Sequence, residues 1–223
     1  KKLSAVTDSV RNGRFVVKVP VPMDISYADA EGLLNFFALD SALSSSAQGH
    51  FDNFIVGGTA ADNFDDGSGP EIKVSLNTRS FINGDKVNST PCLLVDLYDE
   101  NGINTIGAGI GHDIVAIVDN DPRHTYNLNS VYSSVAGDYR RGTINMPLNR
   151  LDAGEHTLTL RAWDLYNNSS LARITFNVDP SLAPGFVELK VNPAPVIAGN
   201  AATFTLVRHP ESVETEQPSS KQF

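Results

Sequence analysis

GTINMPLNRLDAGEHTLTLRAWDLYNNSSLARITFNVD, residues 142 to 179, decides how the chain folds. Apolar and polar residues alternate from His156 to Arg161 and again from Arg173 to Val178, the pattern of strands that bury one face. Between them Asp164 to Ser170 is a polar, turn-forming run that suits a hairpin loop. An earlier stretch, GRFVVKVPVPMDISYADAEGLLNFFALDSALSSSAQGHFDNFIVG from Gly13 to Gly57, repeats the order strand, Pro, loop, Gly, strand, Ala-x-Asp, polar loop, strand. Pro20 matches Pro147, Gly32 matches Gly154, Ala38 and Asp40 match Ala162 and Asp164, and Phe54 to Val56 matches Phe176 to Val178. Agreement at several special positions marks an internal repeat rather than two unrelated meanders. The order resembles the last three strands of an immunoglobulin-like or fibronectin-like sandwich.

Working outward, the same alternation occurs at Phe15 to Val19, Glu71 to Leu76, Leu93 to Tyr98 and Asp113 to Val118. Turn chemistry separates these runs at Asn83-Gly84-Asp85, Asp99-Glu100-Asn101-Gly102 and Asp119-Asn120-Asp121-Pro122. No segment carries an amphipathic helical repeat. The expected fold is therefore all-β, with immunoglobulin-like antiparallel β-sandwich units in tandem. Residues 1–60 read as the final strands of a first unit or an extra meander, and 61–180 as an immunoglobulin-like sandwich. Residues 181–223 read as the start of a truncated C-terminal sandwich, opened by strands at Phe186 to Val191 and Thr203 to Val207, with a disordered polar tail from about His209.

Composition narrows the function classes. The 223 residues are 41% hydrophobic, enough for a packed core, and 19% charged. A formal net charge of −9 opposes binding to a phosphate backbone, so nucleic acid is not an expected partner. One cysteine, Cys92, allows no intramolecular disulfide and no thiolate zinc cage. No apolar run approaches the roughly 20 residues of a membrane helix, so no direct membrane insertion is expected. The chain opens on Lys1-Lys2-Leu3 without a signal-peptide pattern, and an exported parent would carry its address elsewhere.

Few residues suggest chemistry. Cys92 opens the apolar run Cys92-Leu93-Leu94-Val95, where burial raises a thiol's pKa and keeps it inert. His112, in Gly109-Ile110-Gly111-His112-Asp113, sits beside a carboxylate but lacks an accompanying nucleophile, and His156 reads as an ordinary polar strand residue. His50, His124 and His209 fall in no motif. The acidic run Asp62-Asn63-Phe64-Asp65-Asp66-Gly67-Ser68-Gly69 has oxygen donors and glycines, as calcium loops do, but departs from the EF-hand pattern and reads as a solvated connector. The residues therefore imply no catalytic, cofactor-binding or metal site, and no cofactor.

The ordered motifs Gly57-Gly58-Thr59, Gly69-Pro70-Glu71-Ile72, Asp99-Glu100-Asn101-Gly102-Ile103-Asn104, Gly109 to Ile114, and Arg161-Ala162-Trp163-Asp164 to Ser170 resemble the region downstream of the peptidase domain in the gingipain-type cysteine peptidases that act as sortase of the bacterial type IX secretion system. Val187 to Pro195 followed by Thr203 to Leu206 resembles the opening of the C-terminal sandwich of such proteins. The resemblance spans about residues 13–207. It implies an exported, cell-surface parent at the outer membrane that cleaves a C-terminal signal from cargo, with the catalytic His and Cys upstream of this chain. The expected role is then a non-catalytic scaffold that braces the upstream peptidase domain and contacts cargo or secretion-system proteins. The alternative is a stand-alone adhesin or carbohydrate-binding module, suggested by Trp163, Tyr126, Tyr132 and Tyr139 near polar loops.

Overall fold

The computed structural model describes residues 3–23, 25, 29–40, 44–58, 65–106 and 111–182, together with the backbone of 188–192 and 203–207. The strands are β1 (Ala30–Glu31), β2 (Leu34–Leu39), β3 (Ser46–Phe51), β4 (Ile55–Val56), β5 (Glu71–Leu76), β6 (Lys86–Val87), β7 (Cys92–Tyr98), β8 (Val115–Val118), β9 (Thr125–Asn127), β10 (Tyr132–Val135), β11 (Asp138–Pro147), β12 (Gly154–Trp163), β13 (Ser169–Val178), β14 (Glu188–Asn192) and β15 (Thr203–Val207).

Two sheets form a sandwich. One runs β10-β11-β7-β5, the other β6-β13-β12-β8-β9. All neighbours are antiparallel except β6, which lies parallel to β13. Taking β5 and β7 as A and B, β8 and β9 as C and C′, and β10 to β13 as D, E, F and G, this is the immunoglobulin arrangement of an ABED sheet facing a CFG sheet. Alternation along each strand builds the core between them. Leu93, Val95 and Leu97 of β7 are buried, as are Leu158, Leu160 and Ala162 of β12, Ala116 and Val118 of β8, and Phe176 and Val178 of β13. Each fully buried Leu or Phe contributes roughly 1.5–3 kcal/mol of hydrophobic stabilisation. No disulfide ties the sheets, and apolar packing of this kind takes its place.

The expected strands at Glu71 to Leu76, Leu93 to Tyr98, Asp113 to Val118, His156 to Arg161 and Arg173 to Val178 coincide with β5, β7, β8, β12 and β13 to within a few residues. Phe15 to Val19 does not form a strand. Among the described residues no strand pairs with it, and Phe15 packs instead on Phe36 with ring centroids 5.4 Å apart. The strand expected between Gly142 and Pro147 is β11, which begins four residues earlier, at Asp138, where Arg140, Arg141 and Gly142 interrupt the apolar alternation. Gly142 is required there because a Cβ would lie 2.2 Å from the Tyr132 ring and hydroxyl.

Before the sandwich, β2 and β3 make a two-stranded ribbon that β1 and β4 continue. The segment leading into it lies along the sandwich, with Gly137 N–H donating to the Thr7 carbonyl (2.9 Å) and Met23 N–H to the Leu165 carbonyl (2.9 Å). After the sandwich, β14 and β15 pair antiparallel over Glu188–Asn192 and Thr203–Val207. Of the unit expected from residue 181 onward, residues 183–187, 193–202 and the tail from about His209 lie outside the described residues.

Candidate functional site

Three loops meet at one end of the sandwich: the entry segment Asp65 to Gly69, the β7–β8 connection from Asp99, and the β12–β13 turn from Asp164. They are sewn together through the backbone. Leu165 N–H donates to the Gly102 carbonyl (3.1 Å) and Asn104 N–H to the Trp163 carbonyl (2.9 Å). Asp164, completely buried, caps its turn: Oδ1 accepts from Tyr166 N–H (2.9 Å) and Asn168 N–H (2.7 Å), and Oδ2 from Asn168 Nδ2 (2.8 Å). Asn168 Nδ2 also donates to Asp65 Oδ1 (2.7 Å), which fastens the entry segment to the turn. Asp99 Oδ1 accepts from Asn101 N–H (2.8 Å) and Gly102 N–H (3.1 Å), with Gly102 at φ +103.

This end concentrates negative charge in a dry place. Burial raises the Asp164 carboxyl above the ordinary aspartate range. Burial, assisted by the charges of Asp164 and Asp66, pushes the Asp99 carboxyl up to about 6. Asp65 is held low by the Gly67 N–H and the Asn168 amide. Carboxylate oxygens of Asp65, Asp66 and Asp164 come within 4.8 Å of one another, a span that opposite ligands of one calcium ion would have. The sequence places Asp65 and Asp66 in one loop, and the tertiary structure adds Asp164 from about a hundred residues away. Asp62, Asn63 and Phe64 of that loop lie outside the described residues. Because Asp164 already accepts three hydrogen bonds and Asp65 is tied to Asn168, calcium is expected to leave the melting temperature within about 2 °C of its value in chelator. A rise of several degrees that Asp65→Asn with Asp66→Asn removed would instead identify a metal site.

Cys92, His112 and His156 each have separate partners, and His209 lies outside the described residues. The Cys92 thiol donates to Asn145 Oδ1 (2.8 Å), and burial raises its pKa. His112 lies against Trp163 with ring centroids 4.3 Å apart, while the neighbouring Asp113 carboxylate accepts from Asn129 Nδ2 (2.6 Å). His156 proves to be more than an ordinary polar strand residue. Its Nδ1 faces Asp119 Oδ2 at 2.6 Å and its Nε2 faces the Asp152 carbonyl at 2.9 Å, so both ring nitrogens meet acceptors and the imidazolium satisfies both. Burial opposes that charge, but the Asp119 hydrogen bond, the Asp152 carbonyl and the two nearby carboxylates outweigh it and raise the pKa. Asp119, read from sequence as a turn residue, thus joins the β8–β9 turn to β12, since its Oδ1 also accepts from Thr157 N–H (2.8 Å).

Because the folded pKa of His156 is raised, its ionic contribution is fully present below the unfolded value near pH 6.5 and is lost as pH climbs through the folded value. Melting temperature should fall as pH rises above about 6.5, and Asp119→Asn should flatten that fall. Parallel profiles for the two proteins would show that the pair contributes nothing.

The aromatic residues that suggested sugar binding are occupied in packing. Trp163 meets His112, Tyr139 lies over Gly102 where a Cβ would come within 2.8 Å, and Tyr132 packs beneath Gly142. The Tyr126 hydroxyl accepts from Asn149 N–H at 3.1 Å. All four are half-buried, so none stands as an open stacking platform.

No family model matches this chain, and no curated protein does. Among solved structures, it is similar to dimeric latent PorU from Porphyromonas gingivalis, with 36% identity and a TM-score of 0.54 over 83% of this chain and 17% of that one. Slighter likenesses are to the endo-beta-1,4-mannanase from Thermotoga petrophila (14% identity, TM-score 0.32, 49% of this chain and 20% of that one) and to CopC from Methylosinus trichosporium OB3b (17%, 0.30, 50% and 99%). These two bear on neither fold nor function. This chain is a PorU-related region, similar over most of its own length to a segment that makes up 17% of the PorU chain.

Proposed function

We propose that this chain is a non-catalytic β-sandwich scaffold of a surface-exposed type IX secretion sortase, bracing an upstream peptidase domain and offering contacts to cargo or secretion-system proteins. The observation that carries the proposal is the 36% identity to PorU over 83% of the chain. The geometry supports it in two ways. The thiol of Cys92 is engaged by an amide oxygen while the imidazole of His156 is engaged by Asp119, so neither activates the other. The loops at the acidic end are bound to the segment that precedes the sandwich, through Asn168 to Asp65 and Leu165 to Met23, which is how a spacer holds its neighbour in place.

Two measurements test the reading. The purified chain should show no turnover of a peptide bearing the cargo's C-terminal signal, and turnover that vanished in Cys92→Ala would make it an enzyme. The separately expressed peptidase domain of the parent should bind this chain, or gain thermal stability when joined to it. Robust binding on a glycan array without affinity for that domain would favour the adhesin reading instead.

A further inference from the structure

The β2–β3 ribbon and the β12–β13 hairpin are the same structural unit, and only one of them is covered. Their pairings correspond, with one extra residue in the ribbon between Phe51 and Ile55. Ala30↔Val56 corresponds to Gly154↔Val178, Glu31↔Ile55 to Glu155↔Asn177, Leu34↔Phe51 to Leu158↔Ile174, Phe36↔Gly49 to Leu160↔Ala172, and Ala38↔Ala47 to Ala162↔Ser170. The turns agree as well. Asp40 Oδ1 accepts from the N–H four residues on, at Ser44 (2.7 Å), as Asp164 Oδ1 does from Asn168. The Asp40 N–H donates to the Ser45 carbonyl (3.1 Å), as the Asp164 N–H does to that of Asn168 (3.0 Å).

In the sandwich, Leu158, Leu160 and Ala162 are each 0% exposed because β7 and its neighbours face them. Their counterparts Leu34, Phe36 and Ala38 are only half-buried, Ala47 is exposed, and Phe51 is 48% exposed. The face that corresponds to the covered one in the hairpin is made by Leu34, Phe36, Ala38, Ala47 and Phe51, with Phe15 covering part of it, while Phe37 and Leu39 lie exposed on the opposite face, where the hairpin has Arg161 and Trp163. A two-stranded ribbon is marginal in water unless such a face is packed.

We infer that this face is a docking surface for the apolar side of an antiparallel sheet, whose strands stand to β2–β3 as β5, β7 and β11 stand to β12–β13. That sheet comes from elsewhere in the same longer protein: the solved chain to which this one is similar extends well beyond the 17% matched here. The ribbon is then the F–G hairpin of a second immunoglobulin-like unit ahead of the first. This inference stands on the geometry and does not depend on the parent being a peptidase.

Hydrogen exchange, measured on this chain alone and on the chain preceded by its natural upstream sequence, tests it. Amides of 34–39 and 46–51 should exchange at least ~100-fold more slowly in the longer protein, while those of β12 and β13 keep their rates. Phe36→Asp should abolish the added protection in the longer protein and leave β12–β13 exchange unchanged in both. Equal ribbon rates in the two proteins would overturn the inference. So would a concentration-dependent dimer of the short chain that protects the ribbon and is dissolved by Phe36→Asp, since a second copy would then be the occupant.

Discussion

Asp164→Ala is expected to lower the free energy of unfolding at neutral pH by about 3 kcal/mol. The substitution removes the acceptor for Tyr166 N–H, Asn168 N–H and Asn168 Nδ2 together, in a position with no exposure to water. Each buried donor left without a partner costs roughly 1–3 kcal/mol, and water entering the opened turn recovers part of it. A gain works against this loss. Asp164 is itself a buried carboxylate that repels Asp99, so deleting it relieves the charge crowding at this end. Three buried hydrogen bonds against the repulsion from Asp99 and Asp65 leave the loss dominant. Asp164→Asn should recover most of the stability, because its amide oxygen still accepts from both backbone N–H groups. Urea denaturation of the three proteins measures this, and a loss below about 1 kcal/mol for the alanine variant would show that the turn closes without its cap.

The pH dependence at the same end has a sign opposite to that of most aspartates. The Asp99 carboxyl titrates at about 6 in the folded chain against 3.8 in its ordinary environment, so the folded state holds a proton that the unfolded state has released. Stability contributed by this group falls as pH rises from about 4 to about 6 and levels off above, with a total of up to about 3 kcal/mol. Asp99→Asn keeps the acceptor oxygen for Asn101 and Gly102 and cannot ionise. The variant should match the wild type near pH 4, exceed it at neutral pH, and show a flat profile across the window. Chemical denaturation at closely spaced pH values resolves it from the His156 contribution, which is lost only above about pH 6.5. Parallel profiles for the two proteins would place the carboxyl in a more polar setting than its burial implies.

Both effects arise from residues whose local role is written in the sequence and whose energetic weight is not. An aspartate before a polar loop is a turn residue anywhere, and Asp40 and Asp164 cap their loops alike. Their surroundings differ. Asp40 is exposed and its carboxyl is lowered by Ser44, whereas Asp164 is buried and raised by that burial. His156 illustrates the same limit: its partner Asp119 is 37 residues away, on a turn whose two left-handed residues, Asp119 and Asn120, announce only a tight bend.

Local alternation was enough to determine that the chain is all-β, to locate β5, β7, β8, β12 and β13, and to reveal that residues before 58 repeat a hairpin found again near 170, because the side-chain period of a half-buried strand is printed directly in the order of residues. Only the tertiary structure decided which repeated face is covered, that Phe15 to Val19 has no strand partner among the described residues, and that Asp65, Asp66, Asp99 and Asp164 share one end. Those outcomes depend on long-range packing and on the exclusion of water, and neither leaves a mark on any short stretch of sequence.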